Sequence, residues 1–142
     1  MSAGTPPGDR WLVLYDADCG FCNWLLAGLL RWDRGRRLRP VALDGSEAER
    51  LLGDLDPEQR MASWHLVEPG GPRRSAGEAL APLVAVLPGG RAPSAMLARI
   101  PSVTGRGYRL VADNRTRLSA LVPVRSKERA ARLVAERAGQ AQ

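Results

Sequence analysis

Several features are missing from this sequence of 142 residues. No apolar run approaches the roughly 20 residues that a membrane-spanning helix requires. Residues 1–8 have neither the basic start nor the apolar core of a secretion signal. We therefore expect a cytoplasmic protein with no membrane partner, and the length and the 44% hydrophobic content fit a single folded domain.

Aromatic residues are also few, seven in all. Proteins that bind nucleic acid usually combine a basic surface with aromatic side chains or contain a known binding module. The net charge of +6 comes almost wholly from arginine, since Lys127 is the one lysine. The densest arginine cluster, at residues 31–39, closes a predicted helix, where the helix dipole favours cations. We therefore expect no nucleic-acid partner.

The chain has only two cysteines, Cys19 and Cys22, and two residues separate them. Residues 11–15 are a short apolar run rich in strand-favouring types, and residues 24–30 have the leucine content of a buried helix. The pair is therefore expected on the first turn of that helix. In a reducing compartment, two close cysteines are typically catalytic, redox-sensing or metal-binding rather than a structural disulfide.

This position suggests thiol-disulfide exchange. Backbone N–H groups at a helix N-terminus stabilise a thiolate, which makes Cys19 the predicted nucleophile and Cys22 the thiol that resolves the mixed disulfide. Asp16 and Asp18 precede the pair, and a partly buried carboxylate can relay the proton that Cys22 must lose, although capping of the turn is an equal alternative for Asp16. We expect Phe21 to expose a ring that docks a protein substrate. The exchange requires no bound cofactor.

The stretch at residues 15–22 resembles the signature of the DCC family, thioredoxin-like thiol-disulfide oxidoreductases named for an Asp-x-x-Cys-x-x-Cys pattern. Asp16, Cys19 and Cys22 match its three letters, and Ala17 stands where the family usually has glycine. The resemblance implies a thioredoxin-like α/β fold and protein-disulfide reductase activity. It also implies a protein or small-molecule disulfide as substrate and a separate thiol system as reductant.

The similarity continues through residues 64–67 and 108–115 and covers roughly residues 10–122. The pair Asn114-Arg115 resembles a feature that recurs near the end of the family, but its chemistry alone leaves a helix cap, a salt bridge or a surface pair open. Thioredoxins themselves place a cis-proline before a central strand, and residues 61–63 contain no proline.

The expected fold is a βαβ unit plus a β-hairpin with flanking helices and extra C-terminal helices. Residues 38–43 form the second strand, parallel to the first because a helix intervenes, and residues 63–68 and 73–75 form the hairpin. We expect three regions: a flexible leader at 1–9, a thioredoxin-like domain at 10–122, and a C-terminal helical or frayed tail at 123–142.

Further helices are predicted along the rest of the chain. They are expected at residues 46–53, 75–87, 93–100, 108–121 and 126–138, with a break at 101–107. The last of them is expected to be exposed, with Leu133 and Val134 on its apolar side.

The cysteines also have alternative interpretations. They could be inert core residues or form a structural bridge. A Cys-x-x-Cys pair is also half of a zinc site, but the other ligands would have to be His65 with Asp16 or Asp18, an unusual set. His65 lies in a predicted strand, which favours packing over acid-base chemistry. The alternative function is therefore a non-catalytic redox-sensing or metal-binding module.

Overall fold

A four-stranded mixed sheet is the centre of the computed structural model, which describes residues 9–61 and 63–139. The strands are β1 (Trp11–Tyr15), β2 (Leu38–Ala42), β3 (His65–Val67) and β4 (Arg73–Ser75). Their order across the sheet is β2-β1-β3-β4, with β1 parallel to β2 and antiparallel to β3, and β3 antiparallel to β4. The predicted parallel βαβ unit and the predicted hairpin are both confirmed. This is a thioredoxin-like α/β fold.

Helices cover both faces of the sheet. They are α1 (Gly20–Trp32), α2 (Ser46–Leu51), α3 (Pro57–Met61), α4 (Leu80–Val86), α5 (Arg91–Arg99), α6 (Pro101–Asp113), α7 (Arg115–Leu121) and α8 (Val124–Gly139), with a 3-10 turn at Ala76–Ala79 before α4. Of these, α3 was not predicted. Among the described residues, none of the helices is both long enough and apolar enough to cross a membrane.

The alternation of side chains along β1 divides the core into two layers. Val13 and Tyr15 join the larger cluster, which is built with residues of α1, α4 and α8. Leu14 points to the opposite face and packs with Ala48 of α2 and with Leu52. Strand β1 is therefore covered on both faces, and its last residue lies just before the cysteine motif.

Helix α8 is part of the core rather than an exposed tail. A helix was predicted at residues 126–138, but Ala130 and Val134 are buried in the larger cluster, so the expectation of an exposed helix is wrong. The Arg137 guanidinium donates to the Asp33 carboxylate at 3.0 Å and to the Leu30 carbonyl at 3.1 Å. The apolar stripe of α8 and this ion pair hold the helix against the end of α1.

The break predicted at residues 101–107 is also wrong, because these residues begin α6. Proline is well accepted in the first turn of a helix, where its missing N–H leaves no bond unmade, and Pro101 is in that turn. The close approach is made at Gly77 of the 3-10 turn, where an added Cβ would lie 3.0 Å from the Gly105 Cα, whereas a Cβ added on Gly105 would meet nothing within 4 Å. The helix ends at Asn114, which splits the predicted 108–121 helix into two.

The predictions for the two ends of the chain, a flexible leader and a C-terminal tail, stay predictions. Residues 1–8 and 140–142 lie outside the described residues, and so does Ala62. The predicted leader therefore has only Asp9 within the described range. The predicted boundary at residue 122 falls between α7 and α8.

Candidate active site

Cys19 and Cys22 lie where β1 passes into α1. Cys19 is the N-cap of α1, with extended backbone angles, and its Sγ accepts a hydrogen bond from the Cys22 backbone N–H at 3.3 Å. The sulfur thus occupies the position of the oxygen in an ordinary N-cap side chain. Both cysteines are free and half-buried. A thiolate on Cys19 would meet the unpaired N–H groups of the first turn, which favour negative charge.

Side chains within the motif fix the turn that precedes α1. The Asp16 carboxylate accepts a hydrogen bond from the Asp18 N–H at 3.0 Å, so Asp16 caps this turn, while Asp18 itself is exposed. Asn23 is buried, and its side-chain amide donates to the carbonyls of Ala17 at 3.0 Å and Cys19 at 3.1 Å. Asn23 was not predicted, because nothing in the sequence distinguishes it from a surface asparagine.

Lys127 of α8 packs over the first turn of α1. Its ammonium donates to the Ser119 carbonyl at 3.1 Å and to the Ser119 hydroxyl at 3.2 Å. A Cβ added at Gly20 would lie 2.9 Å from the Lys127 Cδ, so glycine next to Cys19 leaves room for the lysine stem. The first turn of the cysteine helix is thus covered by the C-terminal helix.

The surroundings of Cys22 keep its thiol protonated. Burial, followed by the hydrogen bond and the charge of Cys19, raises the pKa of Cys22 from 9.0 to about 12, and the Asp16 carboxylate acts in the same direction. The Arg115 guanidinium lowers the pKa of Cys22, because a nearby cation favours the thiolate. The two sulfurs therefore differ: the Cys19 Sγ caps α1, and the half-buried Cys22 thiol has a raised pKa.

Tyr108 and Arg115 reach the site from distant positions in the chain. Burial raises the pKa of the Tyr108 hydroxyl, and the charge of Cys22 raises it further, while Arg115 and hydrogen bonds with the Trp64 backbone and the Ser63 side chain oppose this. Sequence reasoning left the role of Arg115 open and assigned none to Tyr108. The only signal was that both lie in the stretch at residues 108–115.

Beside Cys22 opens a cavity of about 750 Å³, half-open to solvent and mainly apolar. Its walls come from β1, α1, α4, α5, α6 and the segment before β3. The apolar lining includes Val13, Leu26, Met61, Trp64, Leu83, Leu97, Ile100, Val103 and Val111. Its polar lining includes Asp16, Cys22, Tyr108, Asp113 and Arg115. Cys22 contributes to this lining, whereas Cys19 is not part of it.

A comparison with protein families identifies the chain. The family described as DCC1-like thiol-disulfide oxidoreductase matches residues 13–121, well over half of the 142 residues. The chain belongs to this DCC1-like family. No curated protein and no solved structure matches the chain. The match includes the cysteine pair and the helices that wall the cavity, whereas α8 lies beyond its end.

In this DCC1-like protein the prediction of an exposed Phe21 is wrong. Phe21 is only 7% exposed, lines the cavity, and stacks on Trp24 with ring centroids 6.0 Å apart. Trp24 is 40% exposed and is the ring of this pair that reaches solvent. Phe21 is therefore part of the cavity wall, with Trp24 stacked against its ring.

The histidine of this DCC1-like protein is a packed residue, as predicted. His65 is buried on β3, and its ring nitrogens lie 2.6 Å from the Ser75 hydroxyl and 3.0 Å from the Arg60 carbonyl. Burial chiefly, with the charge of Arg73, lowers the pKa of His65, although the bond to the Arg60 carbonyl opposes this. In the part of the chain that the structure describes, no group of three or more His, Cys, Asp or Glu side chains is arranged to hold a metal ion.

Proposed function

We propose that this protein is a thiol-disulfide oxidoreductase of the protein-disulfide reductase type that works in the cytoplasm. Cys19 is the nucleophile and Cys22 the resolving thiol. The observation that carries the proposal is the position of the Cys19 Sγ at the N-cap of α1, 3.3 Å from the Cys22 backbone nitrogen. Membership of the DCC1-like family supports the same chemistry.

The reaction is an exchange in two steps. In the first, the Cys19 thiolate attacks one sulfur of a substrate disulfide, a Cys19-substrate disulfide forms, and the other substrate sulfur leaves as a thiol after taking a proton. In the second, the Cys22 thiolate attacks the Cys19 Sγ and displaces the remaining substrate thiol. Two electrons pass from the cysteine pair to the substrate. A separate thiol reductant then restores the pair.

The second step depends on deprotonation of Cys22. Once Cys19 is bonded to substrate it carries no charge, so its charge no longer raises the pKa of Cys22, while burial and the charge of Asp16 still do. Arg115 favours the resulting thiolate, and we assign Asp16, which lines the same cavity, as the proton acceptor. Asp18 has an exposed carboxylate and serves as a second relay to solvent. No cofactor takes part.

The first experiment follows turnover of a peptide disulfide by wild-type protein in the presence of a thiol reductant, alongside the Cys19→Ser and Cys22→Ser variants. Cys19→Ser should abolish turnover. In a reaction of the pre-reduced protein without added reductant, Cys22→Ser should accumulate a mixed disulfide that intact mass spectrometry detects as the protein plus one substrate half. Turnover by the Cys19→Ser variant would exclude the assigned nucleophile.

A redox titration separates this proposal from a non-catalytic sensor. Equilibration in graded glutathione buffers should show a reversible two-thiol transition between about −120 and −270 mV, the range of working oxidoreductases. A pair still oxidised below about −300 mV would indicate a structural bridge instead. A sensor would form the disulfide but would show no turnover with any reductant.

A further inference from the structure

The cavity beside Cys22 is half-open to solvent, and residues 97–115 contribute a large part of its lining. Ile100, Val103 and Val111 line it and are at the same time among the exposed large apolar residues. Its volume of about 750 Å³ falls within the range of roughly 300–1,000 Å³ that is typical of ligand sites. An apolar group can therefore enter from solvent and lie against the wall that contains Cys22.

Helices α5, α6 and α7, which all contribute residues to the cavity lining, hold almost all of the net charge of the protein. From α5 to α7 there are six arginines and one acidic residue, Asp113, which is five of the six net positive charges. All six arginines are exposed. Within the described residues, the ion pairs found are Arg39–Glu47, Arg73–Asp54 and Arg137–Asp33, and none of them uses an arginine of α5, α6 or α7. This surface suits an acidic partner.

The position of the two sulfurs favours a chain segment over a small molecule. Cys22 lines the cavity, but the attacking thiol, Cys19, does not. A small apolar disulfide held wholly inside the cavity would keep its sulfurs away from Cys19. In a peptide, by contrast, the disulfide can meet Cys19 outside the cavity while a neighbouring side chain reaches past Cys22 into it.

We propose that the substrates are protein disulfides whose attacked cysteine lies next to a large apolar residue and acidic residues. The apolar side chain enters the cavity and the acidic residues meet the arginines of α5 to α7. This inference rests on the proposed function and names its substrate class. The exchange itself is unchanged: two electrons pass from Cys19 and Cys22 to the substrate disulfide.

The test uses the disulfides of four short peptides that each contain one cysteine. The two residues that flank the cysteine are Leu and Glu, Leu and Lys, Ser and Glu, or Ser and Lys. Each is mixed with pre-reduced protein, and acid-quenched mass spectrometry follows one turnover. The rate for each peptide disulfide is divided by the rate at which glutathione reduces the same disulfide, because flanking charge alters the pKa of the leaving thiol. The Leu-Glu peptide should react at least tenfold faster than the Ser-Lys peptide. Salt should reduce the advantage of Glu but not that of Leu.

Two test variants, each with a matched control, examine whether the cavity causes the preference for Leu and the arginines cause the preference for Glu. Gly107 lies in the cavity wall, and a Cβ built there meets nothing within 4 Å, so Gly107→Phe should fill the cavity and remove most of the preference for Leu. Gly28→Phe, at an exposed helical glycine with equally open space, is the matched control and should keep the preference. Arg106→Glu should reverse the preference for Glu, whereas Arg132→Glu on α8 should not.

Each contrary result has its own meaning. Equal normalised rates for all four peptides would overturn the inference and leave the proposed function standing. No reaction with any peptide or with 2-hydroxyethyl disulfide would overturn the proposed function itself. Faster reaction with dibenzyl disulfide than with every peptide would assign the cavity to a small molecule. Binding to phosphatidylglycerol vesicles without discrimination between peptides would assign the arginines to a membrane surface. Either of the last two results also overturns the inference.

Discussion

Arg115 brings a positive charge from the C-terminal half of the chain to the cavity beside Cys22. Asn114 ends α6, and its backbone N–H and side-chain amide both bond to the Leu110 carbonyl, so Arg115 begins α7 beside Cys22. Its guanidinium lowers the pKa of Cys22, against burial and Cys19. Of the three roles that sequence chemistry left open for Asn114-Arg115, a helix cap describes Asn114, and Arg115 has a function that was not among them.

The electrostatic role of Arg115 is testable with Cys22 as the only thiol. In a Cys19→Ser background, we expect Cys22 to titrate above its ordinary pKa of 9.0, because burial still raises it. Adding Arg115→Gln should raise the pKa further and slow alkylation by iodoacetamide at pH 8 by roughly threefold or more, since tenfold is one pKa unit. The measurement is the alkylation rate between pH 7 and 11.

The matched control is Arg117→Gln, two positions further along α7 and also exposed. It should leave the alkylation profile unchanged, since Arg117 is not among the groups that shift the pKa of Cys22. Equal profiles for the Arg115 and Arg117 variants would mean that Arg115 does not tune this thiol.

What the sequence reveals about single residues depends on how local their roles are. Asp16, Cys19 and Cys22 form one contiguous motif, so their proximity is evident without a structure. Tyr108 and Arg115 meet Cys22 only through the packing of α6 and α7, which no local pattern encodes. The exposure of Phe21 was wrongly predicted for the same reason, because the cavity that it lines is built by distant elements.

Among the elements, α8 supplies an ion pair, Arg137 with Asp33, that joins the last described helix to the end of α1. Asp33, at the end of α1, is buried and accepts hydrogen bonds from the Arg37 and Leu38 N–H groups at 2.9 Å each and from the Arg137 guanidinium. Removing the cation would leave a buried carboxylate with two amide partners but no counter-charge. Such a loss is costly because the charge has already been taken out of water.

We expect Arg137→Met to lower the free energy of unfolding by about 3 kcal/mol, the usual scale for breaking a buried pair from one side. Arg132→Met, at an exposed position of the same helix, should change it by less than about 0.5 kcal/mol. Urea unfolding followed by circular dichroism measures both. A similar, small effect for the two variants would mean that the Asp33 contact contributes little to stability.

Apolar runs and the prolines and glycines between them predicted most of the strands and helices. The prediction failed at residues 101–107, where proline and glycine lie inside a helix. The strands and α1 follow from apolar runs and their punctuation. Pro101, Gly105 and Gly107 predict a break, since proline and glycine usually interrupt helices. In the fold, Pro101 belongs to the first turn of α6, and Gly105 and Gly107 lie inside that helix. A sequence pattern cannot tell a glycine that lies within a helix from one that ends it.

For the molecule as a whole, the shifted groups define a range of pH in which the fold is most stable. Cys22, Tyr15 and Tyr108 all have raised pKa values in the folded state, so their contribution is present below the unfolded values and is lost as the pH rises above about 9. His65 has a lowered pKa, so its contribution is lost as the pH falls below 6.5. Stability should therefore be greatest between these limits.

The reduced protein should lose about 1 kcal/mol of stability through Cys22 between pH 9 and 10.5, a value reduced to allow for its partial solvent exposure. Urea midpoints of the wild type and of Cys22→Ala across pH 5 to 10.5 provide the test. The variant should have a flatter alkaline side and an unchanged acid side. An identical alkaline slope would indicate that Cys22 is not shifted in the folded state.

The global arrangement also shows what a sequence can and cannot convey. The arginines at residues 91–117 are visible in the sequence, and the cluster at residues 31–39 is denser. Only the fold shows that α5, α6 and α7 all contribute residues to the cavity next to Cys22, Arg115 among them. Charge density along the chain therefore gave less information than charge position on the surface.

The packing of α8 on α1 also bears on the order in which the protein is made. The contacts of Arg137 with Leu30 and Asp33 join residues 107 and 104 positions apart. During synthesis the cysteine helix leaves the ribosome long before its covering helix exists. Contacts of such long range slow folding, and these contacts cannot form until α8 has been synthesised. The nascent chain therefore passes through a stage in which α1 lacks the cover of α8, including the packing of Lys127 on the first turn next to Cys19.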